Sequence, residues 1–344
     1  MKAVAYYQPG AIESADALVD TELPDPGEPE GHDLLVAVHA VAVNPIDTKV
    51  RAGTAPQAGT PDEAKVLGWD AAGTVRAVGP EVTRFQPGDA VWYAGDITRP
   101  GSNAELQLVD ERIVGHKPQS LDFREAAALP LTTITAWELL FERLGVPAGK
   151  AATDDRLLVV GGAGGVGSVL IQLAARLTGL TVIATASRPE TSEWARALGA
   201  HGVIDHRRPL SEALQEGGMD SVSHVASLTH TDAHLDELVA CLAPQGRLAL
   251  IDDPGELDVR KLKPKSLSLH WELMFTRSLF QTADVAAQHR LLEEAAALVD
   301  AGVLRTTLAE DYGPVNAANL IRAHTLLESG RSRGKIVLTG FADD

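Results

Sequence analysis

The residues whose type and spacing could do chemistry stand between Arg156 and Leu170, in RLLVVGGAGGVGSVL. Gly162, Gly164 and Gly167 fall on a G-x-G-x-x-G spacing, with Gly165 and Val166 inside it. An apolar run, Leu157 to Val160, precedes them and is short enough for a strand buried on both faces. Val169, Leu170 and Leu173 then resume at helical intervals. In such a turn one glycine permits the tight bend, one lets backbone approach a pyrophosphate, and one lets the helix lie close against its strand. The free N–H groups at the helix start favour a phosphate, aided by a macrodipole worth roughly half a positive charge. The chemistry on offer is the holding of a dinucleotide. A tight turn that binds nothing is the competing reading, and the flanking strand and helix weigh against it.

A second position decides which dinucleotide. An acid at the end of the next strand would hold the ribose 2′-hydroxyl of NAD. Here that strand, Thr181 to Ala184, runs into Ser187-Arg188 with no carboxylate at its tip. A 2′-phosphate about 4 Å from a carboxylate would meet roughly 4 kcal/mol of repulsion at an effective dielectric near 20, and an arginine reverses the sign. The sequence therefore favours NADPH over NADH. Glu190 and Glu193 on the following helix pull the other way, and Arg188 also reads as a solvated turn residue.

These residues need a frame to hold them. The 344 residues suffice for two domains, and a 45% hydrophobic share argues for a folded globular protein. A formal charge of −17 opposes nucleic acid or an anionic membrane as a general partner. The lone Cys241 excludes an intrachain disulfide framework and suits a reducing cytoplasm, and no apolar stretch reaches the length of a membrane span. The first third reads as short strands between glycine and proline punctuation: Met1 to Tyr7, Leu34 to Val43, Gly73 to Val78 and Ala90 to Tyr93, with a surface loop from Thr21 to Glu30. From Asp122 helical spacing takes over, and Pro130 separates two helices. Strands at Leu157 to Val160, Thr181 to Ala184, Val203 to Ile204, Ser223 to Ser227, Arg247 to Ile251 and Leu267 to Phe275 then alternate with helices, which implies a doubly wound parallel sheet. Helices around Ala286 to Ala301 and Ala317 to Ser329 and a strand at Lys335 to Leu338 break the alternation, so the tail is expected to return to the first domain, leaving a cleft between two lobes.

Five motifs in order along nearly the whole chain carry a resemblance: Asn44-Pro45-Ile46-Asp47, Gly68-Trp69-Asp70-Ala71-Ala72-Gly73, Gln86-Pro87-Gly88-Asp89, Ala163-Gly164-Gly165-Val166-Gly167 and Gly334-Lys335-Ile336-Val337-Leu338. The chain resembles the medium-chain dehydrogenase/reductase superfamily, in its quinone oxidoreductase branch, close to the zinc-type alcohol dehydrogenase-like group. The resemblance implies an α/β protein: a GroES-like, β-rich catalytic domain (1–124 and 277–344) and a Rossmann NADP-binding domain (125–276), paired as a homodimer through the last Rossmann strands. It implies Asn44 and Asp47 at the nicotinamide end, Thr135 at the nicotinamide amide or ribose, Gly165 and Val166 at the pyrophosphate, and Ser187, Arg188 and His206 at the adenosine phosphate, with Arg331 and Lys335 as further phosphate contacts.

Zinc is where the group's label and the residues part. In the zinc enzymes a cysteine aligns with Asn44, a histidine with Trp69 and a glutamate with Asp70, with a further cysteine near Thr132 or Thr133. Tryptophan and threonine are not useful zinc ligands and asparagine is a poor one, so no zinc is expected. Without a Lewis acid, oxidising an alcohol lacks a means to stabilise the alkoxide, whereas hydride delivery to a quinone or α,β-unsaturated carbonyl needs only modest hydrogen bonds to the developing anion. Tyrosines that often follow the N-P-x-D segment are replaced by Lys49 and Ala55. Lys49 is then a candidate proton donor, or a solvated loop charge. Trp69, Trp92 and Tyr93 could stack on a flat quinone, or be plain core. Asp47 could serve the chemistry or simply hold its loop. The sequence thus supports an NADPH-dependent, zinc-independent reductase, with a catalytically weak NADPH-binding protein of the same fold as the alternative and a zinc-dependent alcohol dehydrogenase behind both.

Overall fold

Short strands, several buried at consecutive residues, build the first third of the chain. In order come β1 (Lys2–Tyr6), β2 (Val19–Glu22), β3 (Asp33–Ala42), α1 (Pro45–Ala52), β4 (Lys65–Val66), β5 (Asp70–Val78), β6 (Ala90–Tyr93), β7 (Leu106–Asp110) and β8 (Val114–His116). The structure is a computed structural model that describes residues 1–54 and 63–341. Ala55 and most of the Ala52 to Lys65 loop therefore lie outside the described residues. Two short helices, α2 (Phe123–Ala127) and α3 (Pro130–Trp137), follow with Pro130 opening the second, and a π-helical turn, Glu138–Arg143, continues it.

Strand–helix alternation comes next: β9 (Arg156–Val160), α4 (Gly165–Leu177), β10 (Thr181–Thr185), α5 (Pro189–Leu198), β11 (Gly202–Ile204), α6 (Leu210–Glu216), β12 (Val222–Ser227), α7 (Thr231–Cys241) and β13 (Leu242–Leu250), with a 3-10 helix (Val259–Lys265) leading to β14 (Ser268–Trp271). The tail adds α8 (Thr276–Phe280), α9 (Ala287–Asp300), β15 (Leu308–Asp311), α10 (Ala317–Glu328) and β16 (Lys335–Thr339).

The chain divides into two units, Met1–Ile134 with Phe275–Asp344, and Thr135–Met274. In the first, a seven-stranded sheet has the order β15-β16-β3-β5-β6-β8, with β7 also on β3, and a small sheet has the order β2-β1-β4. In the second, six strands run in the order β11-β10-β9-β12-β13-β14, and every pairing is parallel. That order reverses direction beside β9, and dinucleotides bind outside the carboxyl ends of strands at such a point. Leu158, Val160, Ile183, Val225, Leu248 and Leu250 form the buried centre of this sheet.

Differences from the sequence reading have local causes. The unit boundary falls after Ile134, ten residues later than expected, because α2 and the start of α3 bond within the first unit. Leu131 N–H donates to Asp70 Oδ1 at 2.7 Å, and the hydroxyls of Thr306 and Thr307 donate to the carbonyls of Glu125 and Ala128. Asn44-Pro45 does not merely end a strand: Pro45 supplies the fixed φ of a first helical residue and opens α1. β2 takes Thr21 and Glu22 from the expected loop, and the expected strand Leu267 to Phe275 shortens to β14.

Candidate active site

The glycine turn expected to cradle a dinucleotide lies entirely in the second unit, where β9 turns into α4. Gly161 bends the chain with φ +80°, a conformation side chains resist, and its N–H donates to Thr185 Oγ1 at 3.0 Å, tying the turn to the tip of β10. A Cβ on Gly162 would stand 2.7 Å from the Cβ of Ala184 in β10, so this glycine lets the turn lie against the neighbouring strand. A Cβ on Gly167 would come within 2.5 Å of the Gly161 carbonyl oxygen, so this one lets α4 lie against the turn. Gly164, the residue before the helix, would meet nothing nearer than 3.5 Å, which leaves its outer side open to a ligand. Ser168 N–H makes an intrahelical bond back to Gly164 O, whereas the N–H groups of Gly165 and Val166 lie in the first turn, where an α-helix offers no acceptor. Backbone that only glycine permits and donors at a helix start fit a pyrophosphate.

Beyond β10, Ser187 and Arg188 are half-buried where the strand leads into α5. Arg188 Nε lies 3.2 Å from Glu190 Oε1, so the carboxylate that weighed against NADPH is its ion-pair partner. Both side chains are more than a third exposed, and such a pair contributes little that a phosphate would have to displace. His206 follows β11, the neighbour of β10, and burial lowers its pKa from the ordinary imidazole value. Thr135, buried in α3, is the first residue of this unit.

A second centre lies in the first unit. Asn44, Asp47, Asp70 and Lys335 are all buried there. Lys335 Nζ donates to Val43 O at 2.8 Å, to Asp70 Oδ2 at 2.9 Å and to Asn44 Oδ1. Asn44 Nδ2 donates to the same Asp70 oxygen at 2.8 Å, and Asn44 N–H donates to Asp47 Oδ2 at 2.5 Å. Burial pushes the Asp47 carboxyl up to about 7, against the Asn44 N–H and the Lys335 ammonium, which favour its ionised form. The ammonium thus sits between the side chains of Asn44 and Asp70.

This geometry corrects several expectations. The three N–H bonds of Lys335 are taken inside the protein, so it is a structural cation and not a phosphate contact. Trp92 and Tyr93 are 0% exposed on β6, and Tyr93 OH donates to Gln107 Oε1; both are core and offer no face to a substrate. Trp69 is also buried, its indole N–H on Asp96 O at 3.1 Å, but its ring lines a cavity. Lys49 lies half-buried on α1, on the same helix as Asp47, and Arg331 is exposed in the first unit. Among the described residues no group of three or more His, Cys, Asp or Glu is placed to hold a metal ion. Residue reading missed Asp70 as the hub of the buried cluster; its place after Trp69 in the G-W-D-A-A-G run was the available signal.

The chain is similar to known proteins along its length. A family model for the alcohol dehydrogenase GroES-like domain matches residues 30–119, and one for zinc-binding dehydrogenases matches 198–338. A zinc-type alcohol dehydrogenase-like protein of Staphylococcus aureus is 38% identical over 98% of this chain and 99% of its own length. The 2-methylene-furan-3-one reductase of Solanum lycopersicum is 30% identical over 98% of this chain and 79% of its own. A solved structure from Rhizobium etli, provisionally described as a zinc-dependent alcohol dehydrogenase, is 56% identical with a TM-score of 0.94, covering 100% of this chain and 99% of that one. The Escherichia coli quinone oxidoreductase complexed with NADPH is 25% identical with a TM-score of 0.83, over 98% and 100%.

Proposed function

This chain belongs to the medium-chain dehydrogenase/reductase superfamily of oxidoreductases, and from that premise we propose that it is an NADPH-dependent, zinc-independent reductase of quinones or α,β-unsaturated carbonyls. One observation carries the reading: an internal ammonium, Lys335, lies between Asn44 and Asp70, two of the positions where zinc enzymes of the superfamily bring a metal and its neighbouring acid. A cation already balances the buried carboxylate, and Trp69 at the third position has its one polar atom on a backbone oxygen. A relative that reduces a methylene-furanone and a structural neighbour that is a quinone oxidoreductase holding NADPH support the same reading.

When bound, NADPH supplies a hydride to the electron-poor carbon, the substrate's π electrons move onto oxygen, and solvent protonates the enolate or hydroquinone anion. The chain's own residues bind and orient. Gly165 and Val166 offer backbone N–H groups to the pyrophosphate, with Gly162, Gly164 and Gly167 making the close approach possible. Ser187, Arg188 and His206 read the 2′-phosphate, with Arg331 as a further contact, and Thr135 holds the nicotinamide amide or ribose. Asn44 and Asp47 shape the substrate end, and Lys49 offers a cationic side chain on the same helix. Trp69 forms part of the wall offered to a flat substrate. The protein acts in the cytoplasm as a homodimer on a small molecule, with neither nucleic acid nor membrane as partner; among the described residues no helix is long and apolar enough to cross a membrane.

Calorimetry with NADPH and NADH, followed by stopped-flow loss of nicotinamide absorbance with phenanthrenequinone and with a simple enone, tests this reading. Tighter binding of NADPH and turnover unaffected by a chelator are expected. NADPH binding without turnover would make the chain a binding protein, and stoichiometric zinc with loss of activity on chelation would make it an alcohol dehydrogenase.

A further inference from the structure

The first unit contains a cavity of about 570 Å³, within the size range of small-molecule pockets. Tyr6, Leu23, Trp69, Ala104, Leu106 and Leu108 line it, from β1, the segment after β2, the approach to β5, and β7 with the residues before it. Such volume persists where short side chains stand at positions that larger ones would fill, as Ala104 does beside Ala3. Apart from exposed Glu63 and the Tyr6 hydroxyl, the polar side chains at the wall are engaged within the protein. Arg99 holds Asp33 with two bonds of 2.8 and 2.7 Å. The Gln107 amide donates to Pro100 O and accepts from Tyr93 OH. Thr98 Oγ1 donates to Asp96, the N-terminal ammonium donates to Leu23 O and pairs with Asp25, and Lys65 Nζ stands 5.8 Å from the centroid of the Tyr6 ring. The indole N–H of Trp69 is likewise taken, and burial pushes the Tyr6 hydroxyl up to about 12, keeping it neutral. A charged ligand would have to break these pairs to be solvated, whereas a hydrocarbon needs only to displace water.

We propose that this cavity binds an uncharged, mainly hydrocarbon group. Resting on the reductase reading above, that group is the apolar body of the reducible substrate, so the enzyme favours long-chain or polycyclic enones and quinones over small polar ones. Trp69, which lines the cavity, immediately precedes Asp70 of the buried cluster in the sequence.

Two measurements on the full chain test it. The uncharged fluorophore N-phenylnaphthylamine should bind wild type saturably, and roughly tenfold more weakly after Leu106→Trp or Leu23→Trp, which fill the space from different sides. Circular dichroism and NADPH affinity report whether each variant is folded. With NADPH, KM for straight-chain enones lengthened one methylene at a time from methyl vinyl ketone should fall about fourfold per methylene until the cavity is full, and the series should flatten in both variants. Equal fluorophore binding by wild type and folded variants overturns the site. A flat series in an active wild type overturns the substrate assignment. No turnover, with fluorophore binding that the variants lose, overturns the reductase reading and leaves the ligand site standing.

Discussion

At the scale of single residues, the buried cluster around Asp70 makes two testable demands. Lys335→Met would strand the Asp70 carboxylate and the Asn44 amide oxygen without their cation, and breaking a buried pair from one side costs about 3–5 kcal/mol. Urea unfolding should show that loss, with partial recovery in the double variant Lys335→Met/Asp70→Asn; a loss below about 1 kcal/mol would remove the cluster from any structural role. Asp47 makes the other demand. Its native pKa, about 7, lies above the ordinary value of 3.8, so the folded state holds a proton that the unfolded state has released. That contribution is fully present below 3.8 and is lost as pH rises through about 7. Asp47→Asn keeps an oxygen for the Asn44 N–H and abolishes the titration. Wild-type stability measured relative to Asp47→Asn should therefore fall as pH rises through this window, by up to about 1.4 kcal/mol per pH unit. Parallel stability curves for the two proteins would show that Asp47 ionises freely. His324 works with the opposite sign: burial, then Arg51, lowers its pKa to about 3, so its contribution is lost as pH falls from 6.5 toward that value.

At the scale of elements, the glycine turn separates fold from binding. A methyl group on Gly167 must push against the backbone of Gly161 and Gly162, neither of which can swing aside, whereas one on Gly164 meets only a carbonyl oxygen at ordinary contact distance. Gly167→Ala should lower the melting temperature markedly. Gly164→Ala should leave it nearly unchanged while weakening NADPH by roughly tenfold or more, because the proposed site brings the pyrophosphate close against this backbone. Equal melting temperatures for the two variants would contradict the packing described for α4. This turn was legible in the sequence because its signals are local: an apolar strand, three spaced glycines and a helical period occupy one short stretch. β6 forms over the range that pattern alone suggests, Ala90–Tyr93, for the same reason. What pattern could not supply is pairing across the chain. Lys335 looked like a phosphate contact because its partners at Val43, Asn44 and Asp70 lie more than two hundred residues away. Trp92 and Tyr93 looked like substrate aromatics because burial depends on what β5 and β8 lay beside them.

At the scale of the whole molecule, the proposed homodimer has a candidate seam at the edge of the six-stranded sheet. β14 is its terminal strand, bonded on one side to β13. Trp271 at its end is 54% exposed and Leu273 just beyond is 50% exposed, so apolar side chains stand beside unpaired backbone groups. Soluble proteins protect such edges with charge, proline or cover, and none of the residues Ser268, Leu269, His270 and Trp271 is a charged guard or a proline at neutral pH. A second copy laid against the same edge would pair the backbone and bury both tryptophans, a self-complementary contact of two-fold symmetry. Long-range charge opposes this association, since each copy carries a formal −17. Repulsion beyond about 8 Å is screened at physiological ionic strength, while burial of apolar surface is not weakened by salt. The dimer should therefore tighten as salt rises, opposite to an interface held by ion pairs. Sedimentation equilibrium at low and physiological salt should show this trend in wild type. Trp271→Lys, which adds a charge to each side of the two-fold contact, should shift the equilibrium toward monomer by roughly tenfold or more. A wild-type monomer at micromolar concentration in physiological salt, or a dimer untouched by Trp271→Lys, would place the interface elsewhere or remove it.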